Sequence, residues 1–359
     1  MSPAENTVVA VIMAGGAGTR FWPLSTQRRP KQFLRLFGER SLLQMSYDRL
    51  IGVVPPERVL VLTNADFVGL VAEQLPELPA ANIVGEPHRR DTAAAVTLAA
   101  LLVEKRFGPC VIATLTADHL IEPVELFQRT LVSATKAAAG RELLYTFGIR
   151  PTYPATGYGY LELGDETLED GAIHHFKLAR FKEKPDAATA EGYVASGRYL
   201  WNSGMFVWST GAILAELRRQ LPEHIGALSR AVAADGTGSW AASLEGAFRG
   251  LKPVSIDFGV MEHAAEVRCV ASTFSWSDVG GWLALADHLP QDDESNHYRG
   301  NLLTLDAHDN LVFCEDSKEA VVLVGVENLV VVRSGGRTLI MTKERTEEIK
   351  QLVKKHNLE

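Results

Sequence analysis

The sequence predicts an α/β fold, a doubly wound and mostly parallel sheet with helices on both faces, followed by a small β-rich C-terminal unit. Three observations predict it. Val8–Ala14 is a continuous apolar run that ends in a glycine-rich turn, as a strand buried on both faces does. Strand-sized apolar runs then alternate with helix-sized segments as far as Ile149, the pattern of a parallel sheet with crossover helices. From Gly300 the texture changes to short apolar runs separated by Asp, Asn, Gly and Ser turns, which implies a small all-β unit. The expected division is 1–290 for the α/β domain and 291–359 for the β-rich domain with a closing helix.

The elements follow in order. Ser41-Leu42-Leu43-Gln44 matches a capping box, in which the Ser and Gln side chains satisfy helix N-terminal donors reciprocally, and predicts a helix to about Ile51. Val59–Leu62 reads as a strand, Asp66–Gln74 as a helix, and Ile83-Val84 as a brief strand running into Gly85-Glu86-Pro87. Asp91-Thr92 can cap an Ala- and Leu-rich helix over Ala93–Phe107, closed by Gly108-Pro109. Val111–Leu115 is the next strand, Pro123–Ala139 the next helix, closed by Gly140, and Leu143–Ile149 a further strand. The middle third is less regular and holds most of the polar clusters, with strands over Phe176–Phe181, Met205–Trp208 and Val267–Ala271. In the tail, Leu302-Leu303, Leu311–Phe313, Ala320–Val324, Leu329–Val332 and Thr338–Met341 are strand candidates. Lys343–His356, with Ile349, Leu352 and Val353 on one face, reads as an amphipathic helix.

Composition removes several function classes. The chain has 359 residues, 46% hydrophobic and 22% charged, enough for one large domain and a smaller one. A net charge of −8 argues against a general nucleic-acid or anionic-membrane surface, so an anionic substrate must meet a local basic pocket. MSPAENTVVAV has no basic segment before its short apolar run, and no later apolar stretch approaches the ~20 residues of a membrane span, so a cytoplasmic protein is expected. Cys110, Cys269 and Cys314 make no C-x-x-C pair and read as buried small hydrophobes, indicating neither a zinc site nor a disulfide. His174-His175, without a third ligand at metal spacing, reads as a surface loop.

The chemistry starts at the first turn. Gly15, Gly16 and Gly18 allow positive φ and leave no Cβ in the way, so successive backbone N–H groups can converge on a phosphate chain. Arg20 and Lys31 supply cations, and the turn follows the carboxyl end of the first strand, where open α/β sheets bind ligands. Ala14, Gly15, Gly16, Gly18, Thr19, Arg20 and Lys31 together read as a triphosphate cradle, although three glycines alone fit an ordinary turn equally well. The stretch is not a dinucleotide fingerprint, which needs glycine at Phe21, and it lacks the Gly-Lys-Ser/Thr of a Walker A loop. GGAGTRFWPLS followed by PKQF resembles the signature of the sugar-phosphate nucleotidylyltransferases, and Phe-Trp-Pro-Leu-Ser resembles their mannose-1-phosphate guanylyltransferase branch.

Further motifs extend the resemblance in order to Trp282. Asp118 in Thr116-Ala117-Asp118-His119 and Asp278 in Trp276-Ser277-Asp278-Val279-Gly280 each follow a strand. From the residues alone, one could cap a helix and the other stabilise a glycine turn; the resemblance implies that both are Mg2+ ligands, an ion that takes one or two carboxylates plus water and phosphate oxygens. Thr116 stands where the family usually has Pro. Gly85-Glu86-Pro87-His88-Arg89-Arg90-Asp91-Thr92 is the base-recognition candidate, since a carboxylate such as Glu86 can accept from guanine N1–H and N2–H together. Without the family Glu86 reads more readily as a solvated loop acid before a proline, and the family often has Asn where this chain has Asp91. Thr156-Gly157-Tyr158-Gly159-Tyr160, Phe181-Lys182-Glu183-Lys184-Pro185 and Trp201-Asn202-Ser203-Gly204 resemble the family's sugar-phosphate motifs, which implies Gly157, Tyr158, Gly159, Glu183, Lys184 and Asn202 as ligands. Ser255-Ile256-Asp257 to Glu262 completes the series, with His263 where the family tends to place a basic residue.

The resemblance implies a Rossmann-like nucleotidyltransferase domain, a left-handed β-helix-like tail, and transfer of GMP from GTP to α-D-mannose 1-phosphate with Mg2+. It implies Lys31 on the α-phosphate, Arg20 and the glycine-turn amides on the departing pyrophosphate, and Lys184 aligning the nucleophile. The partners are then small molecules, and a homodimer is allowed. A sister enzyme for another base or hexose, or a silent regulatory subunit of the same fold, is the alternative; the second would be marked by loss of Arg20, Lys31 or an Asp ligand, and none is lost. The chain ends without room for the cupin domain that some relatives append, so a second activity is not expected.

Overall fold

The computed structural model describes residues 8–16 and 19–358; Gly18 lies outside the described residues, as does the side chain of Thr19. The chain forms two compact units, one comprising the chain up to Gly15 with Ser46–Ala117 and Ile121–Trp276, the other Gly16–Met45, Asp118–Leu120 and Ser277–Glu359. The second unit therefore takes three separate stretches of chain.

The strands as far as Ser277 are β1 (Val8–Ala14), β2 (Val59–Asn64), β3 (Ile83–Glu86), β4 (Val111–Thr116), β5 (Leu120–Glu122), β6 (Leu144–Ile149), β7 (Tyr160–Asp170), β8 (Ile173–Lys182), β9 (Tyr199–Ser209), β10 (Val267–Ala271) and β11 (Ser275–Ser277). In the first unit, nine of them form one mixed, mostly parallel sheet in the order β3-β2-β1-β4-β9-β6-β10-β8-β7. β1 pairs in parallel with β2 and β4, and β2 with β3, because the β-α-β crossovers return each strand in the same sense. β9 then enters antiparallel to both β4 and β6, and the β7–β8 ribbon closes the sheet antiparallel to β10.

The two faces are covered separately. The helix Asp91–Phe107 buries Ala94, Leu98, Leu101 and Leu102 in a cluster with Val9, Val11, Leu60 and Leu62. The helix Val124–Ala138 packs on the opposite parity of the sheet, where Phe127 stacks on Phe147 with centroids 6.5 Å apart. The parallel order carries Gly15 past the carboxyl end of β1 and leaves Glu86 as the last residue of β3.

The second unit holds β12 (His297–Arg299), β13 (Asn301–Leu305), β14 (Leu311–Cys314), β15 (Ala320–Val324), β16 (Leu329–Ser334) and β17 (Arg337–Thr342). β12, β14 and β16 stack in parallel as successive coils, and β13 pairs in parallel with β15 on another side, a β-helix-like arrangement. A buried asparagine ladder ties the coils: Asn310 donates to Asn296 Oδ1 at 2.9 Å, and Leu329 N–H donates to Asn310 Oδ1 at 3.0 Å. The core of this unit gathers Phe21, Trp22 and Leu34 from one stretch with Val279, Trp282, Phe313, Val332, Ile349 and Val353 from another.

Local expectations fared unevenly. The Ser41–Gln44 capping box is present, with both reciprocal bonds at 3.0 and 3.1 Å, although its helix ends at Asp48. All three cysteines are buried and free. Asp91-Thr92 does not cap the following helix: the helix begins at Asp91 itself, and Thr92 Oγ1 instead accepts the Ile256 N–H at 2.8 Å. His174-His175 is not a surface loop but part of β8, because alternation along the strand turns His175 fully inward against Ser133 and Tyr145. The closing segment is a 3-10 helix, Lys343–Glu348, before the α-helix Ile349–His356. Among the described residues no helix is long and apolar enough to cross a membrane.

Candidate active site

The second unit contains a cavity of about 320 Å3 lined by Arg20, Phe21, Lys31, Asp118, His119, Asp278, Gly280 and Lys350. Four residues expected to carry the phosphate and metal chemistry thus share one cavity, although they come from three stretches of chain. Lys31 starts a short 3-10 turn after Pro30, and its neighbours Phe33 and Leu34 are buried. That anchoring holds the lysine side chain at 9% exposure, where its Nζ donates to Asp118 Oδ2 at 3.0 Å and to the Asp278 carbonyl. Burial alone would raise the Asp118 carboxyl, but the Lys31 ammonium and then His119 outweigh it and hold it below the usual value. Asp278 sits on a turn pinned by Val279, which is fully buried at φ +44°, a conformation that costs a β-branched residue about 1 to 3 kcal/mol. The strain is supported by the burial of Val279 beside Phe21 and Trp282. Arg20 donates from Nη1 to the Gly280 carbonyl at 3.4 Å.

In the first unit, Glu86 is 8% exposed, and among the described residues no side-chain hydrogen bond offsets its burial. Burial pushes its carboxyl up to about 8. A Cβ added at Gly15 would stand 3.9 Å from Glu86 Oε1, so the first turn glycine opens beside this carboxylate. Gly85 has a packing reason to be glycine, since a Cβ there would meet Val68 Cγ2 at 2.8 Å and Ala65 Cα at 2.9 Å. Ala14 closes β1, and its carbonyl accepts from Thr63 Oγ1 at 3.0 Å.

Three separate motifs of the first unit meet at Glu183. A Cβ at Gly159 would lie 2.5 Å from Glu183 Oε2 and 3.4 Å from Asn202 Cβ, so the glutamate occupies space that only glycine leaves. Lys184, at φ +42°, pairs with Glu183 at 2.8 Å, and that hydrogen bond holds its ammonium above the usual range, with further support from Asp257 and Asp91. Asn202 is fixed at both ends of its amide: Oδ1 accepts from Thr146 Oγ1 at 2.8 Å, and Nδ2 donates to Asp257 Oδ1 at 2.8 Å. Burial first, and the Glu183 carboxylate second, push Asp257 up to about 6. Glu262 Oε1 accepts the Glu183 N–H at 3.1 Å. Tyr158 packs edge-on against Trp201 and Trp276, with centroids 5.1 and 5.4 Å away, while Gly157 is exposed.

Residues 9–295 match the nucleotidyl transferase family model, and residues 300–356 match the MannoseP isomerase/GMP-like beta-helix domain. Mannose-1-phosphate guanylyltransferases of Klebsiella pneumoniae and Escherichia coli are each 39% identical over 349 residues, 96% of this chain and 73% of each relative. The chain belongs to this family of nucleotidyltransferases. A solved mannose-1-phosphate geranyltransferase from Thermus thermophilus superposes with a TM-score of 0.87 at 35% identity, covering 98% of this chain and 99% of that one. A mannose-6-phosphate isomerase structure from Helicobacter pylori gives a TM-score of 0.62 at 26% identity over 76% of this chain and 99% of that one.

Asp257 lies in a sequence motif that by itself assigns it no role; its place after Ser255, whose hydroxyl caps the short helix Ile256–Gly259, is the available signal. In the sequence Lys350 belongs to an amphipathic tail, and no local pattern ties it to Arg20 and Lys31, more than 300 positions earlier.

Proposed function

We propose that this nucleotidyltransferase transfers GMP from GTP to α-D-mannose 1-phosphate, releasing GDP-mannose and pyrophosphate. The observation that carries the reading is the cavity in which Arg20, Lys31, Asp118 and Asp278 stand together. A phosphate oxygen of the sugar phosphate, already anionic, forms a bond to the α-phosphorus of GTP while the bond from that phosphorus to the bridging oxygen of the leaving pyrophosphate breaks. No covalent enzyme intermediate and no general base are needed, so the residues align the reactants and neutralise charge. Lys31 faces the α-phosphate with its remaining donor, and Arg20 holds the departing pyrophosphate. The two carboxylates offer hard oxygen donors and fit a divalent cation, which we take as Mg2+ on Asp118 and Asp278. Bound there, Mg2+ supplies positive charge to the reacting phosphates.

Glu86 reads the guanine edge, the role that best suits a buried carboxylate lacking a hydrogen bond among the described residues, with Gly15, Gly85, Asp91 and Thr92 around the nucleotide. Gly157, Tyr158, Gly159, Glu183, Lys184 and Asn202 take the sugar phosphate. The segments matched separately, 9–295 and 300–356, support a catalytic domain over 1–290 and a β-helix-like domain over 291–359. Pyrophosphate release should be measured with GTP, ATP and UTP against mannose and glucose 1-phosphates. Turnover confined to GTP with mannose 1-phosphate is expected; preference for another pair would replace the substrates, and no turnover with any pair would sink the catalytic reading.

A further inference from the structure

We propose that Lys350, on the C-terminal helix, is a pyrophosphate-binding residue that completes the phosphate cavity. The proposal rests on the nucleotidyl-transfer reading for its biological ligand, but not for its test. The helix Ile349–His356 buries Ile349 and Val353 in the same core as Phe21 and Trp22 and packs against the Thr19–Phe21 turn, which carries Arg20. Lys350 follows the first of these anchors by one residue, and its side chain reaches the cavity wall alongside Arg20 and Lys31. The fixed backbone and the flexible four-carbon stem place a mobile ammonium at the phosphate site.

Charge makes the case stronger. Without Lys350 the lining holds two cations, Arg20 and Lys31, and two carboxylates, Asp118 and Asp278, which cancel; Lys31 is moreover already paired to Asp118. Until a divalent cation is bound by the two carboxylates, side chains of that composition have no net attraction for a polyanion. Lys350 makes the balance positive at the end where Arg20 stands. Its partner in the structure is Glu347, 3.4 Å away and 76% exposed, an ordinary pair one turn back along the segment that a phosphate can displace. An i,i+3 pair explains a surface lysine, but it does not explain why this one lines the cavity of Arg20, Lys31, Asp118 and Asp278.

The test uses the full chain as wild type, Lys350→Met and Lys350→Arg. Inorganic pyrophosphate binding is measured by calorimetry, and steady-state constants are taken for GTP, for mannose 1-phosphate, and for pyrophosphate in the reverse direction. Loss of one charge-assisted contact predicts that Lys350→Met weakens pyrophosphate binding by about tenfold and raises KM for GTP similarly. KM for mannose 1-phosphate should stay within about twofold, and Lys350→Arg should recover most of the loss. Because Lys350 is exposed, an unchanged melting temperature checks that the helix survives. Pyrophosphate affinity equal in wild type and Lys350→Met, or no pyrophosphate binding by wild type, overturns the proposal. If wild type binds pyrophosphate but does not use GTP with mannose 1-phosphate, the functional reading fails while the comparison of variants still decides the role of Lys350.

Discussion

The ammonium of Lys31 lies 3.0 Å from Asp118 Oδ2 and also donates to the carbonyl of Asp278, so one buried cation links both proposed metal ligands. On the proposed reaction Lys31→Met therefore has two consequences: it removes charge stabilisation at the α-phosphate, and it takes from Asp118 the partner that holds its carboxyl below the usual value. Because charge at the reacting phosphate is greatest in the transition state, turnover should fall by about a hundred- to a thousandfold while GTP binding weakens by less than about tenfold. Equilibrium GTP binding and single-turnover kinetics separate the two. A rise in Kd matching the whole loss would make Lys31 a ground-state anchor.

Asp118→Asn and Asp278→Asn should each lower turnover strongly, by at least about a hundredfold, with partial rescue at raised Mg2+. They should differ in stability. Asp118 loses an ion pair with a 9%-exposed lysine and leaves that cation buried, whereas the bond from Lys31 to residue 278 goes to its backbone carbonyl and survives the substitution. Thermal melts should show the larger loss for Asp118→Asn. Unchanged activity in either variant removes that residue from the metal site.

The parallel strands and the first α-helix were legible because each rests on local signals: the apolar run Val8–Ala14 with glycines behind it, and the capping box at Ser41. β7 was not legible, since seven of its residues, from Gly164 to Asp170, are polar, small or exposed and follow no period of two. The antiparallel entry of β9 was equally hidden, because pairing partners up to about a hundred residues apart, such as Val111 with Ser209, leave no local mark. Within the candidate site, motif residues were legible and their supports were not. Asp257 holds the amide of Asn202 from 55 positions away, and Lys350 reaches the Arg20 cavity through tertiary packing alone.

Gly159→Ala tests the sugar-phosphate site through space instead of charge. The added methyl would lie 2.5 Å from Glu183 Oε2, so Glu183 must move and its pair with Lys184 must loosen. If these residues hold mannose 1-phosphate, its KM should rise by roughly ten- to a hundredfold with little change in KM for GTP, the cost of losing one or two polar contacts. A rise in both constants would instead indicate a general disturbance of the strand, which a melt of the variant would also reveal.

If Glu86 reads the base as proposed, recognition is tied to pH. Burial pushes its carboxyl up to about 8 from 4.5, so in the free protein at pH 7 it is mostly protonated. Guanine presents two donors, N1–H and N2–H, so binding selects the carboxylate and should release a proton; GTP affinity should rise by about tenfold from pH 7 to a plateau above pH 8. The sign for stability is opposite. An acid whose folded pKa exceeds its unfolded value binds more protons when folded, so its contribution is fully present below about pH 4.5 and is lost as pH rises toward 8. Glu86→Gln should therefore flatten the pH dependence of the melting temperature between those limits and abolish the extra proton released, measured by calorimetry in buffers of differing ionisation enthalpy. It should also lower kcat/KM for GTP by roughly ten- to a hundredfold while lowering that for ATP less, since Gln turns one donor toward guanine's donors but can match adenine's N1 and N6. Equal losses for the two nucleotides, or proton release identical to wild type, would move base reading away from Glu86 to Asp91, Thr92 or the backbone at Gly85.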